Sequence, residues 1–531
     1  MWIQLFSKPF WKRDRLLLLT FLVVHTITSY YYISKQNITF DEPQYIEYAK
    51  HWLKGKPERL EPLDDNKSPI VAICWIPRIV RQILNPSYKL TDYGRKDQEE
   101  GRYMMIFFSF FTAIYVYWWC KDLYGNHGWV LPLLLLLFDP LYLAYSTLIT
   151  TDLACGAFLV GTLYHFRKYL SERSQKHLYA AAVITGLAIV TKQTLLFLVL
   201  LLPLLSVSYA LIHKSFLKLF SKTTIKDLVL FTVIVILIIN VSYYFHRSFI
   251  PFGSYVFESN VLQSLQKNLQ FISWVPVPLP ESYVQSIDMI KAHADIGAGK
   301  PESTFNGVYL FGVLNQVKGW WYYYLVMIWY KLPIGILILL IAALPLLALK
   351  FKMHAFKEKY LFLILPIVFF WFILSFVNEF QTGIRHLLLV FPLLYIGLGK
   401  LLNYIGSLHL RYKIFAGALI TYAFISVALY YPFIIAYTNE FIIDKKIVYK
   451  KIADSSVNYG QSDSSINIFL RQHPEYRAAS AIPVTGKFIV GMNQICDTYM
   501  PEQNKYKWYY GLKPTGHYRY VNILFLSLIH I

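Results

Sequence analysis

Long stretches of the chain are apolar without a break. They show neither the alternation of a half-buried strand nor the narrow stripe of an amphipathic helix, and so read as helices with apolar surroundings on every side. The first runs from Leu16 to Tyr32, behind Lys8, Lys12, Arg13 and Arg15. A basic start before an apolar core also suits a cleaved signal peptide. No small-x-small site follows, however, and Tyr30-Tyr31-Tyr32 reads as an interfacial aromatic belt, so the run is taken as a first membrane span. Further runs of roughly crossing length begin near Met104, Trp129, Leu153, Leu178, Leu195, Leu228, Trp321, Leu361, Leu387 and Ile414. They predict about eleven spans.

Three stretches are too polar to cross a bilayer: 34–101, about 247–320, and 438–531. The last mixes short apolar runs such as Lys487-Phe-Ile-Val with polar residues and predicts a small α+β domain. The expected architecture is an all-α polytopic membrane part over 1–437, with outer loops 34–101 and 247–320, followed by a soluble domain over 438–531. No internal repeat or low-complexity tract interrupts it.

Composition agrees. Hydrophobic residues make up 56% of the 531 and charged residues 15%, where soluble domains average about 25% charged. That balance excludes a disordered chain and a string of ordinary globular domains. Four cysteines without CxxC spacing, two of them inside apolar runs, argue against a disulfide framework or a zinc site.

A net charge of +20 could suggest nucleic acid. The basic residues instead cluster between spans: Arg167-Lys168, Arg173 and Lys176; Lys214, Lys218, Lys222 and Lys226; Lys350, Lys352, Lys357 and Lys359; Arg411 and Lys413. Placing the N-terminus in the cytoplasm puts every one of these connections inside, as the positive-inside rule requires. The excess is therefore topology, and no nucleic-acid footprint remains. The three polar stretches then lie outside the cytoplasm.

The informative charges sit at the ends of spans on that outer side. They are Asp41 and Glu42 in Thr39-Phe-Asp-Glu-Pro, Lys67, Arg102, Asp152 in Thr150-Thr-Asp, Lys192 and Arg385-His386. Singly, each has an ordinary explanation: Asp41 and Asp152 as helix caps, Lys192 as a snorkelling anchor. Together, three carboxylates and four cations on one face suit an anionic ligand with a general base beside it. The chemistry they suggest is group transfer from a lipid phosphate, the cations holding the leaving phosphate and a carboxylate deprotonating an acceptor hydroxyl. Adjacent Asp41 and Glu42 would divide the work, one as base and the other orienting it. Lys331 and the Trp320-Trp321 run read more simply as interface markers, and His386 as a packing residue. The histidines show no metal spacing.

These residues resemble a known family. Asp41-Glu42 after the first span, Asn66-Lys67-Ser68-Pro69 in the first loop, Arg102 opening the second membrane segment, Thr151-Asp152, Gly186-Leu-Ala-Ile-Val-Thr-Lys192, Gly319-Trp-Trp-Tyr, Gly383-Ile-Arg385-His386 and Ala453-Asp-Ser-Ser-Val-Asn-Tyr-Gly-Gln461 follow one another in the order of the GT-C polyprenyl-phosphate-sugar glycosyltransferases. The resemblance is to the protein O-mannosyltransferase group (glycosyltransferase family 39) and the bacterial lipid A aminoarabinose transferases. It implies a GT-C type fold, Asp41 as catalytic base with Glu42 and Asp152, and Arg102, Arg385, Lys67 and Lys192 around the donor phosphate. It also implies an inverting transfer from a polyprenyl-phosphate sugar to a protein, lipid or glycan acceptor, in a bacterial inner membrane. Where that family has Asp and Trp, this tail has Asn458 and Tyr459, and no catalytic role is assigned there. No nucleotide is implied, no cofactor is required, and a divalent cation is compatible with the sequence without being demanded by it. The alternatives are lipid A-type phosphate glycosylation with the same donor and, in another class, a lipid or sugar transporter or flippase. The second would need broken mid-membrane helices with buried charges, whereas these charges gather at one face.

Overall fold

The apolar runs become helical, and their polar neighbours decide where each helix starts and stops. The computed structural model describes residues 9–58, 68–88, 94–125, 128–297, 306–350, 354–378, 381–498 and 504–528. Helix α1 (Pro9–Lys35) carries the first run. The first polar stretch is itself largely helical: α2 (Glu42–Leu53), a 3-10 segment Pro69–Trp75 and α3 (Ile76–Leu84) lead into the long α4 (Arg95–Tyr124).

The run near Trp129 breaks into α5 (Val130–Leu137) and α6 (Pro140–Tyr145). Asp139 is the cause. Its carboxylate accepts from the backbone N–H groups of Leu141 (2.9 Å) and Tyr142 (3.0 Å), and Pro140 fills the first helical position. Then come α7 (Asp152–Glu172), α8 (Gln175–Thr191), a 3-10 turn Gln193–Phe197 running into α9 (Leu198–Ile212), and α10 (Lys222–Ser242).

The second polar stretch holds α11 (Asn260–Asn268), α12 (Glu281–Ile296) and a hairpin of β1 (Val308–Leu310) and β2 (Val313–Asn315). The bundle resumes with α13 (Tyr323–Lys331), α14 (Ile334–Lys350) and α15 (His354–Phe372). A 3-10 segment Ile384–Val390 leads into α16 (Phe391–Gly406), and α17 (Leu410–Ala428) follows.

The chain is thus mostly helical, a bundle of apolar helices followed by a smaller mixed α/β tail. Among the described residues seven helices are long and apolar enough to cross a membrane. The expectation of about eleven counted segments that the structure makes shorter or more polar. Helix α8 has 17 residues and α5 has 8, while α7 has the length but carries Asp152, Arg167, Lys168 and Glu172.

Helix α7 is the hub, buried from Asp152 to Tyr164 among α4, α8 and the 384–390 segment. The 384–390 segment passes close to Gly156, where a Cβ would stand in ordinary contact, 3.4 Å from the Leu389 backbone. Helix α3 is built inside out: Arg78 is buried and bridges Asp97 at 3.4 Å, while Ile83 and Leu84 are 72% and 80% exposed.

In the tail, α18 (Asp463–Gln472) and α19 (Met492–Cys496) accompany a four-stranded sheet. Its order is β3 (Tyr476–Ala478), β4 (Gly486–Gly491), β6 (Asn522–Ser527), β5 (Pro514–Tyr518), with β3–β4 parallel and the other pairs antiparallel. The Lys487-Phe-Ile-Val run lies in β4, as its β-branched and aromatic content favours. The buried core is continuous from the bundle (Leu141, Tyr145) into the tail (Tyr449, Val457, Phe525).

Helices α14 and α17 meet at Gly335, where a Cβ would fall on the backbone carbonyl of Leu419. Replacing Gly335 with Ala should destabilise the protein by about 1–3 kcal/mol, the usual overpacking range. Gly417→Ala, where a Cβ meets nothing within 4 Å, should be close to neutral. Thermal melting in detergent distinguishes the two.

Candidate functional site

Antiparallel helices return the chain to the same side, and here the ends of four helical segments meet. Asp41 precedes α2, Asp152 is the first residue of α7, Lys192 follows the last residue of α8, and Arg385 lies in the segment before α16. Their side chains form a chain of ion pairs. The Lys192 ammonium donates to Asp152 Oδ1 at 2.8 Å, and Arg385 Nη1 lies 3.8 Å from Asp152 Oδ2 and 2.7 Å from Asp41 Oδ2.

Exposure grades along the chain. Asp152 is buried, while the Asp41 side chain is 20% exposed. Asp41 occupies the N-cap position of α2 yet makes no side-chain capping bond; its carboxylate turns to Arg385 instead. The Asp152 carboxylate likewise goes to the two cations, and its place in the first turn of α7 adds the favourable end of the helix dipole. Lys192 does not snorkel. An extended backbone (φ −160°, ψ 140°) at the end of α8 accompanies its turn inward onto Asp152.

The neighbouring acid has a different fate. Glu42 is fully buried and bidentate to Arg102, with Nε to Oε1 at 2.8 Å and Nη2 to Oε2 at 2.5 Å. It also accepts from the backbone N–H of Ile149 (3.0 Å) and from the N–H and hydroxyl of Thr39 (2.7 and 2.9 Å). Arg102 completes the lock by donating to Asn37 O at 2.7 Å. Burial by itself would push the Glu42 carboxyl up. The Arg102 charge and hydrogen bonds, with the two backbone N–H groups, hold it below the usual carboxylate range. Arg102, expected around a donor phosphate, is thus 1% exposed and committed to Glu42.

One residue of this cluster escaped sequence reasoning. The Tyr459 hydroxyl, from the tail, donates to Asp41 Oδ2 and receives Arg385 Nη1, and its ring lies 4.6 Å below the guanidinium. Its one sequence signal is its place in the 453–461 match, where Tyr459 stands in place of the Trp of the resembled family. Other expected residues lie apart or out of view. Lys67 falls outside the described residues. Ser68, beside it, is buried and donates to Val190 O at 2.8 Å. His386 pairs with Thr382 Oγ1 at 2.9 Å, a packing arrangement. Lys331 is buried rather than interfacial, its ammonium donating to Ile435 O at 2.7 Å.

Among the described residues no group of three or more His, Cys, Asp or Glu is arranged to hold a metal ion. Asp41 and Asp152 carry guanidinium and ammonium partners, a donor set unlike that of a metal centre.

Residues 78–244 match the family model described as dolichyl-phosphate-mannose-protein mannosyltransferase. The resemblance read from the motifs is borne out there by a glycosyltransferase family, over a stretch holding Arg102, Asp152 and Lys192. Among solved structures the chain is similar to ArnT from Cupriavidus metallidurans bound to undecaprenyl phosphate, with 12% identity, 96% of this chain and 97% of that one covered, and TM-score 0.47. The apo form of the same protein gives 11% identity over the same shares, also at TM-score 0.47. The apo Archaeoglobus fulgidus oligosaccharyltransferase gives 13% identity over 79% of this chain and 55% of that one, at TM-score 0.46. No curated protein matches the sequence.

Breaking the Glu42–Arg102 pair should be costly, because the surviving charge stays buried. Arg102→Met is expected to lower stability by about 3–5 kcal/mol, read by thermal melting. The pH dependence follows from the depressed Glu42 value. Its contribution is complete above the unfolded carboxyl value of about 4.3 and fades as pH falls through the lower folded value. The melting difference between wild type and Glu42→Gln should therefore hold steady from pH 8 to about 5 and shrink only below about 4.3.

Proposed function

We propose that the protein is an integral membrane glycosyltransferase that moves a monosaccharide, with inversion, from a polyprenyl-phosphate donor to a hydroxyl on a protein, lipid or glycan acceptor. The membrane is a bacterial plasma membrane, with the N-terminus in the cytoplasm and the site outside. Residues 1–437 form the catalytic membrane part and 438–531 an extracytoplasmic domain. The observation that carries this reading is the convergence of Asp41, Arg385, Asp152 and Lys192 from the ends of four helical segments, its partly exposed end being Asp41 beside Arg385. The family-model match over 78–244 supports the donor class.

Asp41 accepts the acceptor's proton as its oxygen attacks the anomeric carbon. The carbon–oxygen bond to the phosphate breaks, and its electron pair stays on the leaving polyprenyl phosphate. The chain of ion pairs suits this charge movement. Protonated Asp41 no longer holds Arg385, which is then free to meet the phosphate just as that phosphate gains negative charge. Lys192 supports the same phosphate from behind, and Asp152 fixes both cations. Lys67 is a further phosphate contact in this proposal. Glu42 and Arg102 act at one remove, fixing the loop that presents Asp41.

The test is transfer of radiolabelled sugar from synthetic polyprenyl-phosphate donors in proteoliposomes. Asp41→Asn should lower turnover by about 10²–10⁴-fold, the usual worth of a general base. Arg385→Lys keeps the charge but loses the planar fork, and should raise the donor KM by about tenfold. Wild-type turnover in Asp41→Asn would remove Asp41 from its role. If the protein bound no polyprenyl-phosphate donor, the class itself would fall.

A further inference from the structure

The tail segment 453–461 runs between the two loops that carry Asp41 and Arg385 and is bonded to both. On one side the Ile384 N–H donates to Ser456 Oγ at 2.9 Å, and Ser455 Oγ donates to the Thr382 carbonyl. Gly383 between them has φ +117°, and a Cβ there would strike Ser455 Oγ. On the other side the Phe40 N–H donates to the Tyr459 carbonyl at 3.0 Å, and Asn37 Nδ2 to the Gln461 carbonyl at 3.3 Å. The segment is braced from within: Asp454 Oδ1 accepts from the Ser456 N–H at 2.7 Å, and Gln461 Nε2 donates to Val457 O at 2.8 Å. The Tyr323 hydroxyl pins Asp454 from α13 at 2.6 Å.

We propose that Tyr459 is a positioning residue for Asp41, its hydroxyl holding the carboxylate against Arg385, so that the C-terminal tail is a working part of the site. The proposal rests on Asp41 being the base. It goes beyond the donor-and-base reading by assigning a role to a residue of the polar tail, 418 positions away in sequence.

The charged and titratable groups around Asp41 are Arg385 and Tyr459 in contact, Asp152 and Lys192 behind Arg385, and Tyr45 and His386 within electrostatic reach. In this setting a hydroxyl that donates to the carboxylate favours its charged form. Removing that single charge-assisted bond should move Asp41 protonation upward by about one to two pH units. Tyr459→Phe keeps the ring in the core and beneath the guanidinium, so it removes only the hydroxyl.

The experiment uses the full chain in nanodiscs. Infrared titration follows the Asp41 carboxyl band, assigned by its loss in Asp41→Asn, and the pH profile of sugar transfer is measured in parallel. In Tyr459→Phe both the infrared midpoint and the acid limb of kcat/KM should rise together, and turnover on the high-pH plateau should fall severalfold as the carboxylate loses its hold against Arg385. An unchanged infrared midpoint, or a loss of activity with no shift of the acid limb, would overturn the proposal. Should the Phe variant fail to fold, 3-fluorotyrosine at position 459 is a stronger donor and should move the midpoint the opposite way; no movement there would also sink it. If wild type transfers sugar from no polyprenyl-phosphate donor, the functional reading fails, while the infrared midpoint still decides the role of Tyr459.

Discussion

A fully buried carboxylate persists as an anion only where its lone pairs are met, and Glu42 meets that condition through Arg102, Thr39 and Ile149. The rest of the site depends on this pair. It ties the start of α2 to α4 and to the turn before α7, and through Asn37 it fixes the short connection from α1. With Glu42 locked, the residue before it has little choice of place: Asp41 must face the opposite way, where Arg385 waits. Two adjacent acids thus serve opposite ends, one spent on structure and the other left near the surface.

Two carboxylates and two cations balance in the chain from Lys192 to Asp41. In a low-dielectric setting an unbalanced set would carry a heavy desolvation penalty. A balanced one is tolerable and can still rearrange, because a single proton arriving at its exposed end leaves a guanidinium without its counterion. The arrangement is therefore balanced at rest and sensitive to a change of charge at its exposed end.

Much of this was legible in the sequence. Charges at span-ends on one predicted side had to gather at one end of the bundle, since antiparallel helices such as α7 and α8 bring Asp152 and Lys192 back to the same level. Which charge pairs with which was not legible. Arg102 faces inward to Glu42 because α4 turns that side toward α2, a matter of helix rotation that composition does not encode. The α5–α6 break had a readable sign in Asp139-Pro140, but the length of the apolar run outweighed it. Tyr459 was hidden for a different reason. Its role comes from how the tail threads across the bundle, and no local pattern reports a contact between residues so far apart.

That threading has a consequence in time. The chain is made from its N-terminus, and the bundle helices are available long before the tail. The loops bearing Asp41 and Arg385 can both be in place while the segment that bonds to each has yet to be synthesised. Since segment 453–461 closes contacts of very large sequence separation, the site is among the last parts of the molecule to assemble. A partly made protein would hold the charges at the ends of its helices without the segment that gives them their final arrangement.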